Sequence, residues 1–219
     1  ERYRWFMTTD GFLTIGGRDA ASNSAVIRKH LDKNDKVFHG DIFGSPFFIL
    51  KDAENVPDTT MNEIAHATVC FSRAWREALY GVSAYWVLPD QVKKSAPSGE
   101  FLPKGSFTIE GQRNFIKSET LKLAVGIIQL EDNDHVLTCG PPEAIKKNSI
   151  CYAIIEPNGS EMAECAKKIR LEFLKIFEDI TRKINVDEFV RALPAGKSQI
   201  KEISLGDLEK GKFIDNELD

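Results

Sequence analysis

The sequence predicts an α+β fold: a mixed sheet with packed helices over residues 1–120, then a smaller α/β extension over residues 121–219 that ends in a polar tail. Three observations lead there. Short runs with apolar side chains at every second position recur between clusters of Gly, Pro, Asn and Asp, the signature of half-buried strands. Two longer stretches, one opening near Asp58 and one closing near Ile184, repeat apolar residues at intervals of three and four, as helices lying on a core do. The composition, 42% apolar and 28% charged, is that of an ordinary globular protein, and a chain of 219 residues can bury roughly 70% of its unfolded surface.

The chain opens as a hairpin. Tyr3, Trp5 and Met7 alternate with Arg4, Phe6 and Thr8, Asp10-Gly11 supplies the turn, and Phe12 to Ile15 returns. Gly16-Gly17 breaks that strand, and Ala20, Val26, Ile27 and Leu31 space out a helix. Val37–Asp41 and Phe47–Lys51 read as strands on either side of the breaker Gly44-Ser45-Pro46. A strong helix follows, capped from Asp58, Thr59 or Thr60 with Glu63 in the capping-box position. Its apolar face runs through Ile64, Ala67, Phe71, Ala74, Ala78 and Leu79, and Gly81 ends it.

Ala84–Leu88 resumes as a strand, Lys93–Gly105 reads as a long polar loop, and Phe107–Ile109 as a short strand. Beyond a boundary near Thr120, Leu121–Leu130 and His135–Cys139 form a second hairpin across Asp132-Asn133-Asp134. Pro141-Pro142 starts a short helix, and Ile150–Glu156 is a strand. Asn158-Gly159 then turns into a long helix with the stripe Ile169, Phe173, Ile176, Ile180 and Ile184.

The net charge of −4 gives no global reason to expect nucleic acid. Glu1 stands where an initiator Met would, so the sequence reads as a piece of a longer protein. Cys70, Cys139, Cys151 and Cys165 show neither a CxxC pair nor zinc-ligand spacing, which favours buried thiols in a reducing, cytoplasmic setting. No apolar run approaches a membrane span, and no signal peptide is visible. Gly196-Lys197-Ser198 resembles the end of a phosphate-binding loop, but Arg191 stands where its first glycine belongs. His39 and Asp41 alternate on one strand. Two such groups do not make a metal site, and a His–Asp hydrogen bond is the simpler reading. No nucleophile elbow or HExxH helix is present, so no catalytic residue, metal or cofactor is expected.

Two segments carry binding chemistry. In Gly16-Gly17-Arg18-Asp19, glycines at a strand-to-helix turn allow close approach of a phosphate to free helix N–H groups; an Arg–Asp pair that merely holds the turn explains the motif equally well. In Gln91–Lys117, the cations Lys93, Lys94, Lys104, Arg113 and Lys117 alternate with Phe101, Phe107 and Phe115. Cations neutralise phosphates and aromatic faces stack on unpaired bases, so this is a candidate RNA surface; a solvated loop over a Phe-rich core is the competing reading.

In order and spacing these segments resemble the NFACT-R domain of the NFACT family, over about the first 120 residues. The landmarks begin with Trp5-Phe6, Ile15-Gly16-Gly17-Arg18-Asp19 with Asn23, Arg28-Lys29-His30-Leu31, His39-x-Asp41 and Lys51. Glu63-Ile64-Ala65, Ser72-Arg73-Ala74-Trp75 and Trp86-Val87 follow. The most specific stretch runs from Gln91-Val92 through Ala96-Pro97-Ser98-Gly99-Glu100-Phe101-Leu102 to Gly105-Ser106-Phe107 and Asn114-Phe115. Many relatives carry a second His shortly after the Asp, where this chain has Phe43; the form Phe43-Gly44-Ser45-Pro46 resembles the archaeal branch.

The resemblance implies an RNA-binding module of a multi-domain ribosome-associated quality control factor. Such a factor binds stalled large ribosomal subunits and recruits tRNA for C-terminal tailing of the nascent chain, and the peptide-bond chemistry is left to the ribosome. The expected partners are tRNA or ribosomal RNA and, through the full-length protein, the large subunit, with no membrane and no DNA. The implied RNA-binding residues are Gly16, Gly17, Arg18, Asp19, His39, Asp41, Lys93, Lys94, Ser98, Gly99, Lys104, Ser106 and Arg113. The alternatives are a protein-interaction module that packs on sister domains or the ribosome, and an RNA-binding domain linked to tRNA thiolation.

Overall fold

The computed structural model describes residues 2–94 and 106–209. The first strands are β1 (Arg4–Met7), β2 (Leu13–Gly16), β3 (Lys36–Gly40), β4 (Phe47–Leu50) and β5 (Ser83–Val87). A short ribbon, β6 (Val92–Lys93) paired with β7 (Thr108–Ile109), precedes β8 (Asn114–Lys117). Six of these form one sheet in the order β1-β2-β4-β3-β5-β8. The side-chain period of two divides it into two faces. Phe38, Phe48 and Leu50 point to the side covered by α2 (Asp58–Cys70), where they meet Ile64, Ala65 and Trp75. Val37, Ile49, Tyr85 and Val87 point to the other side, under Val26 and Ile27 of α1 (Ala20–His30) and Val92 of the ribbon. Phe38 and Phe48 are fully buried, and each contributes roughly 1.5–3 kcal/mol of transfer free energy.

A second sheet has the order β10-β9-β11-β12, built from β9 (Leu123–Gln129), β10 (His135–Gly140), β11 (Ser149–Ser160) and β12 (Ser198–Leu205). It carries α4 (Pro142–Asn148), α5 (Met162–Ile176), α6 (Glu178–Arg182) and α7 (Val186–Ala192). Ile169 and Phe173 of α5 and Phe189 of α7 join Leu123 and Ile127 in the same apolar cluster as Phe6 and Phe38, so one core runs through both sheets. Polar ties cross the same seam. Arg4 donates to the carbonyls of Ala192 and Leu193, both at 2.9 Å. The Trp75 indole N–H lies 3.2 Å from the Lys197 carbonyl and 3.1 Å from Ser198 Oγ.

The α+β class holds, with corrections in detail. Every strand pairing among the described residues is antiparallel rather than mixed. The links between β1 and β2 and between β3 and β4 are too short for the crossover that a parallel pair needs. The first long helix is two. α2 stops at Cys70, and Ser72 caps a new one-turn helix, α3 (Arg73–Glu77), by accepting the N–H of Ala74 at 3.1 Å.

Glu63 closes no capping box. Its carboxylate instead takes the N–H and hydroxyl of Thr9, while Thr59 and Thr60 donate to Asp10, so the helix start is stapled to the first hairpin. The stripe from Ile169 to Ile184 likewise breaks at Phe177, and β11 runs on to Ser160, past the Asn158-Gly159 turn signal. The hairpin's inward face is Phe6 and Thr8, both fully buried, while Met7 is exposed.

Candidate nucleic-acid interface

The Gly16-Gly17-Arg18-Asp19 turn is accounted for by packing. A Cβ at Gly16 would fall 2.4 Å from the Phe48 ring, and one at Gly17 would fall 1.9 Å from Asn23 Oδ1. That oxygen is in use: it accepts the Phe47 N–H at 3.1 Å and pins α1 to β4. Asp19 is the N-cap of α1 in a reciprocal box with Ser22, at 2.8 and 2.9 Å. The Ser22 backbone and hydroxyl bonds hold its carboxyl below the usual range. Arg18 donates to the carbonyl of Arg191 and so reaches the second half of the chain. Asp19 thus caps α1, while Arg18 reaches toward the end of α7.

A second candidate surface lies on the α1 side of the sheet, over β4, β3, β5 and the edge strand β8. Rings from successive strands form a continuous ladder. Phe107 meets Phe47 edge-on at 5.7 Å, Phe47 meets His39 at 4.7 Å, His39 meets Tyr85 at 5.8 Å, and Tyr85 meets Phe115 at 5.6 Å. Strand register sets this order, because His39 faces Phe47 on one side and Tyr85 on the other. A guanidinium lies near each end: Arg28 5.2 Å from the centre of the Phe107 ring and Arg113 4.7 Å from that of Tyr85. Phe115 is more than half exposed.

Beside the ladder, a groove of about 900 Å³ runs between the first turns of α1 and the 41–46 turn. Arg28, Asn23, Ser24, His39, Phe47, Ser106 and Phe107 line it, and Phe43, 85% exposed, stands at its edge. The His39 Nδ1–H donates to the Gly40 carbonyl at 2.7 Å, not to Asp41, whose side chain is exposed. Burial first, then Arg113, pull the His39 pKa down against the Gly40 bond, so the ring is neutral at pH 7 with Nε2 left as the acceptor.

The structure thus brings His39, Ser106 and Arg113 to one face, and Gly16, Gly17, Arg18 and Asp19 do not line its groove. Lys93 and Lys94 are exposed at the β6 ribbon, while Ser98, Gly99 and Lys104 lie outside the described residues. Among the described residues no group of three His, Cys, Asp or Glu is placed to hold a metal, and no helix is long and apolar enough to cross a membrane. All four cysteines are free and buried.

Residues 2–111 match the family model described as NFACT protein RNA binding domain. The chain belongs to the NFACT family. Among curated relatives it is similar to the archaeal Rqc2 homolog aRqcH of Methanocaldococcus jannaschii, 36% identical over 201 residues, which covers 91% of this chain and 29% of that protein. The ribosome quality control complex subunit NEMF homolog of Drosophila melanogaster is 32% identical over 86% of this chain and 18% of its own length. Homo sapiens NEMF is 35% identical over 58% and 12%. The chain therefore spans less than a third of each of these NFACT relatives. A solved structure, the C-terminal of the fibronectin/fibrinogen-binding protein from Streptococcus suis, superposes at TM-score 0.46 with 18% identity over 54% of this chain and 46% of its own.

Sequence reasoning missed Arg28, Phe43 and Phe47 as members of the surface, and Tyr85, itself buried, as the ring beneath it. A signal existed for Phe43: a large apolar side chain placed directly before Gly44-Ser45-Pro46 has no strand or helix to bury it. None existed for Phe47 and Tyr85, whose spacing is equally that of core strand residues.

Proposed function

We propose that this chain is the RNA-binding module of a ribosome-associated quality control factor, and that it holds tRNA or ribosomal RNA while the full-length protein engages stalled large ribosomal subunits and recruits tRNA for C-terminal tailing. The observation that carries the reading is the aromatic ladder with its two guanidiniums beside an open groove. The exposed rings of Phe43 and Phe115 supply faces for unpaired bases, Arg28, Arg113, Lys93 and Lys94 neutralise phosphates, and His39 Nε2 and the Ser106 hydroxyl are hydrogen-bonding groups for base edges or ribose. The family description and the relatives' names point the same way. The module acts by binding rather than by catalysis. Burial pushes the thiols of Cys139 and Cys151 up to about 12 and that of Cys165 to about 11, which weighs against a sulfur-transfer role in tRNA thiolation.

One observation favours the protein-interaction reading for a different surface. Tyr3, Trp5, Leu13 and Ile15 line a shallow, almost wholly apolar depression of about 360 Å³ on the first hairpin. Salt separates the two modes. The test is binding of deacylated tRNA and of an unrelated duplex at two salt concentrations, with the variant Lys93→Ala/Lys94→Ala/Arg113→Ala alongside. Salt-steep tRNA binding that the triple substitution abolishes supports the RNA reading. Absence of binding at low salt refutes an autonomous RNA module and leaves the protein-interaction reading.

A further inference from the structure

We propose that His39 is the residue by which the groove tells RNA from DNA: its Nε2 accepts a hydrogen bond from the ribose 2′-hydroxyl of an unpaired nucleotide. The inference rests on the RNA reading above and adds which group of the nucleotide is recognised, and by what.

The walls and floor of the groove come from different elements. Arg28 and Asn23 stand on the α1 wall, and Phe43 on the opposite wall, in the 41–46 turn. His39 of β3, Phe47 of β4 and Ser106 lie on the sheet side between them. A nucleotide carries its phosphate and its base on opposite sides of its sugar. With the phosphate at the Arg28 guanidinium and the base on the exposed Phe43 ring, the ribose lies over His39 and Ser106. The volume of about 900 Å³ leaves room for it.

The His39 ring is held in one state. A carbonyl can only accept, so the 2.7 Å contact with Gly40 puts the ring proton on Nδ1. Rings on both sides, Phe47 at 4.7 Å and Tyr85 at 5.8 Å, fix the orientation, with the Tyr85 hydroxyl 3.4 Å from Nδ1. The charged and titratable groups around it are Arg28 of α1, Tyr85 of β5, Arg113 before β8 and Asp41 after β3. Burial is the largest influence and, with Arg113, outweighs the Gly40 bond and Asp41, so Nε2 carries a lone pair at pH 7. A phosphate offers only acceptors and gains nothing from that lone pair. A hydroxyl can donate to it, and deoxyribose has no hydroxyl at this position.

The test measures fluorescence anisotropy of the full chain with three single strands of one base sequence, built on ribose, 2′-fluororibose and 2′-deoxyribose, at constant ionic strength. Fluorine keeps the ribose pucker and takes away the donor. The ribose strand should bind about tenfold more tightly than either of the others. His39→Phe keeps an aromatic ring and removes the acceptor, so all three strands should bind alike; His39→Leu serves the same purpose if the Phe variant does not fold. His39→Gln supplies an acceptor that does not titrate and should restore most of the preference, which a purely structural loss at this position would not allow. Protonation turns Nε2 into a donor. The wild-type preference for ribose should therefore shrink, and never grow, as the pH falls below the ordinary histidine value of 6.5.

Equal binding of the ribose and 2′-fluororibose strands, a preference that survives in folded His39→Phe, or one that grows on acidification overturns the inference and leaves the RNA reading standing. Absence of binding by every strand at low salt refutes the RNA reading, and the inference falls with it.

Discussion

Phe43→Ala is the sharpest probe of the groove. The ring is 85% exposed, so it adds little to the folded state, and its removal should change stability by no more than about 0.5 kcal/mol. If an unpaired base stacks on it, the loss of that contact costs about 1–3 kcal/mol of binding, roughly a 5- to 150-fold rise in Kd. Because no charge is removed, the slope of log K against log salt should not move, whereas Arg28→Ala should flatten it by roughly 0.7 on a single strand. Fluorescence anisotropy with a labelled single-stranded oligoribonucleotide at several salt concentrations, paired with a thermal melt, reads both quantities. An unchanged Kd in a well-folded Phe43→Ala protein refutes stacking at the groove edge. An unchanged slope in Arg28→Ala removes that cation from the phosphate contacts.

Three further predictions concern the scaffold. Gly17→Ala puts a methyl group into the oxygen that anchors α1 to β4 and should cost about 1–3 kcal/mol in a urea titration. Lys51→Met strands Asp35, whose side chain is fully buried 2.6 Å from the Lys51 ammonium. A loss of about 3 kcal/mol is expected, and a loss below 1 kcal/mol would show that the Asp32 and Asp52 N–H groups alone satisfy the carboxylate. His66 donates its Nε2–H to the Lys122 carbonyl at 2.6 Å, and burial lowers its pKa below the ordinary 6.5. The unfolded chain therefore takes up the proton first. The stability held above pH 6.5 should fall as pH drops toward the folded-state pKa, by at most about 1.4 kcal/mol per pH unit. His66→Gln should lose that component of the pH dependence, and identical profiles for the two proteins would contradict the assignment.

Most strands were legible because their period of two and their Gly, Pro and Asn punctuation are local properties: the first hairpin, β3 to β5, and β9 with β10. Errors arose where a distant partner settles a local choice. The spacing from Ile64 to Leu79 is continuous, yet Ser72 terminates one helix and caps the next, and Trp75 then reaches Ser198 of β12. The resemblance to a phosphate loop at Gly196-Lys197-Ser198 resolves in the same way: Gly196 lies against the backbone of Arg76, where a Cβ would come within 2.9 Å of its Cα. β8, α7 and β12 escaped notice; in β12 the apolar residues Ile200, Ile203 and Leu205 do not alternate, because the pairing with β11 shifts register between them.

The residues of the proposed binding surface divide along the same line. Sequence order placed Lys93, Lys94 and Arg113 among aromatics and Arg18 beside two glycines, and from there the family and the class of ligand could be read. It could not show that Arg18 turns away from the α1 helix start toward Arg191, or that Arg28, Phe43, Phe47 and Tyr85 share a face with His39. By itself, then, the sequence determined the α+β class, the family and the chemistry of the ligand, because periodicity, turn residues and motif spacing are written along the chain. Which cations and rings meet was decided only by the tertiary structure, because strand register and the packing of α1 and α7 bring together residues that neither spacing nor composition relates.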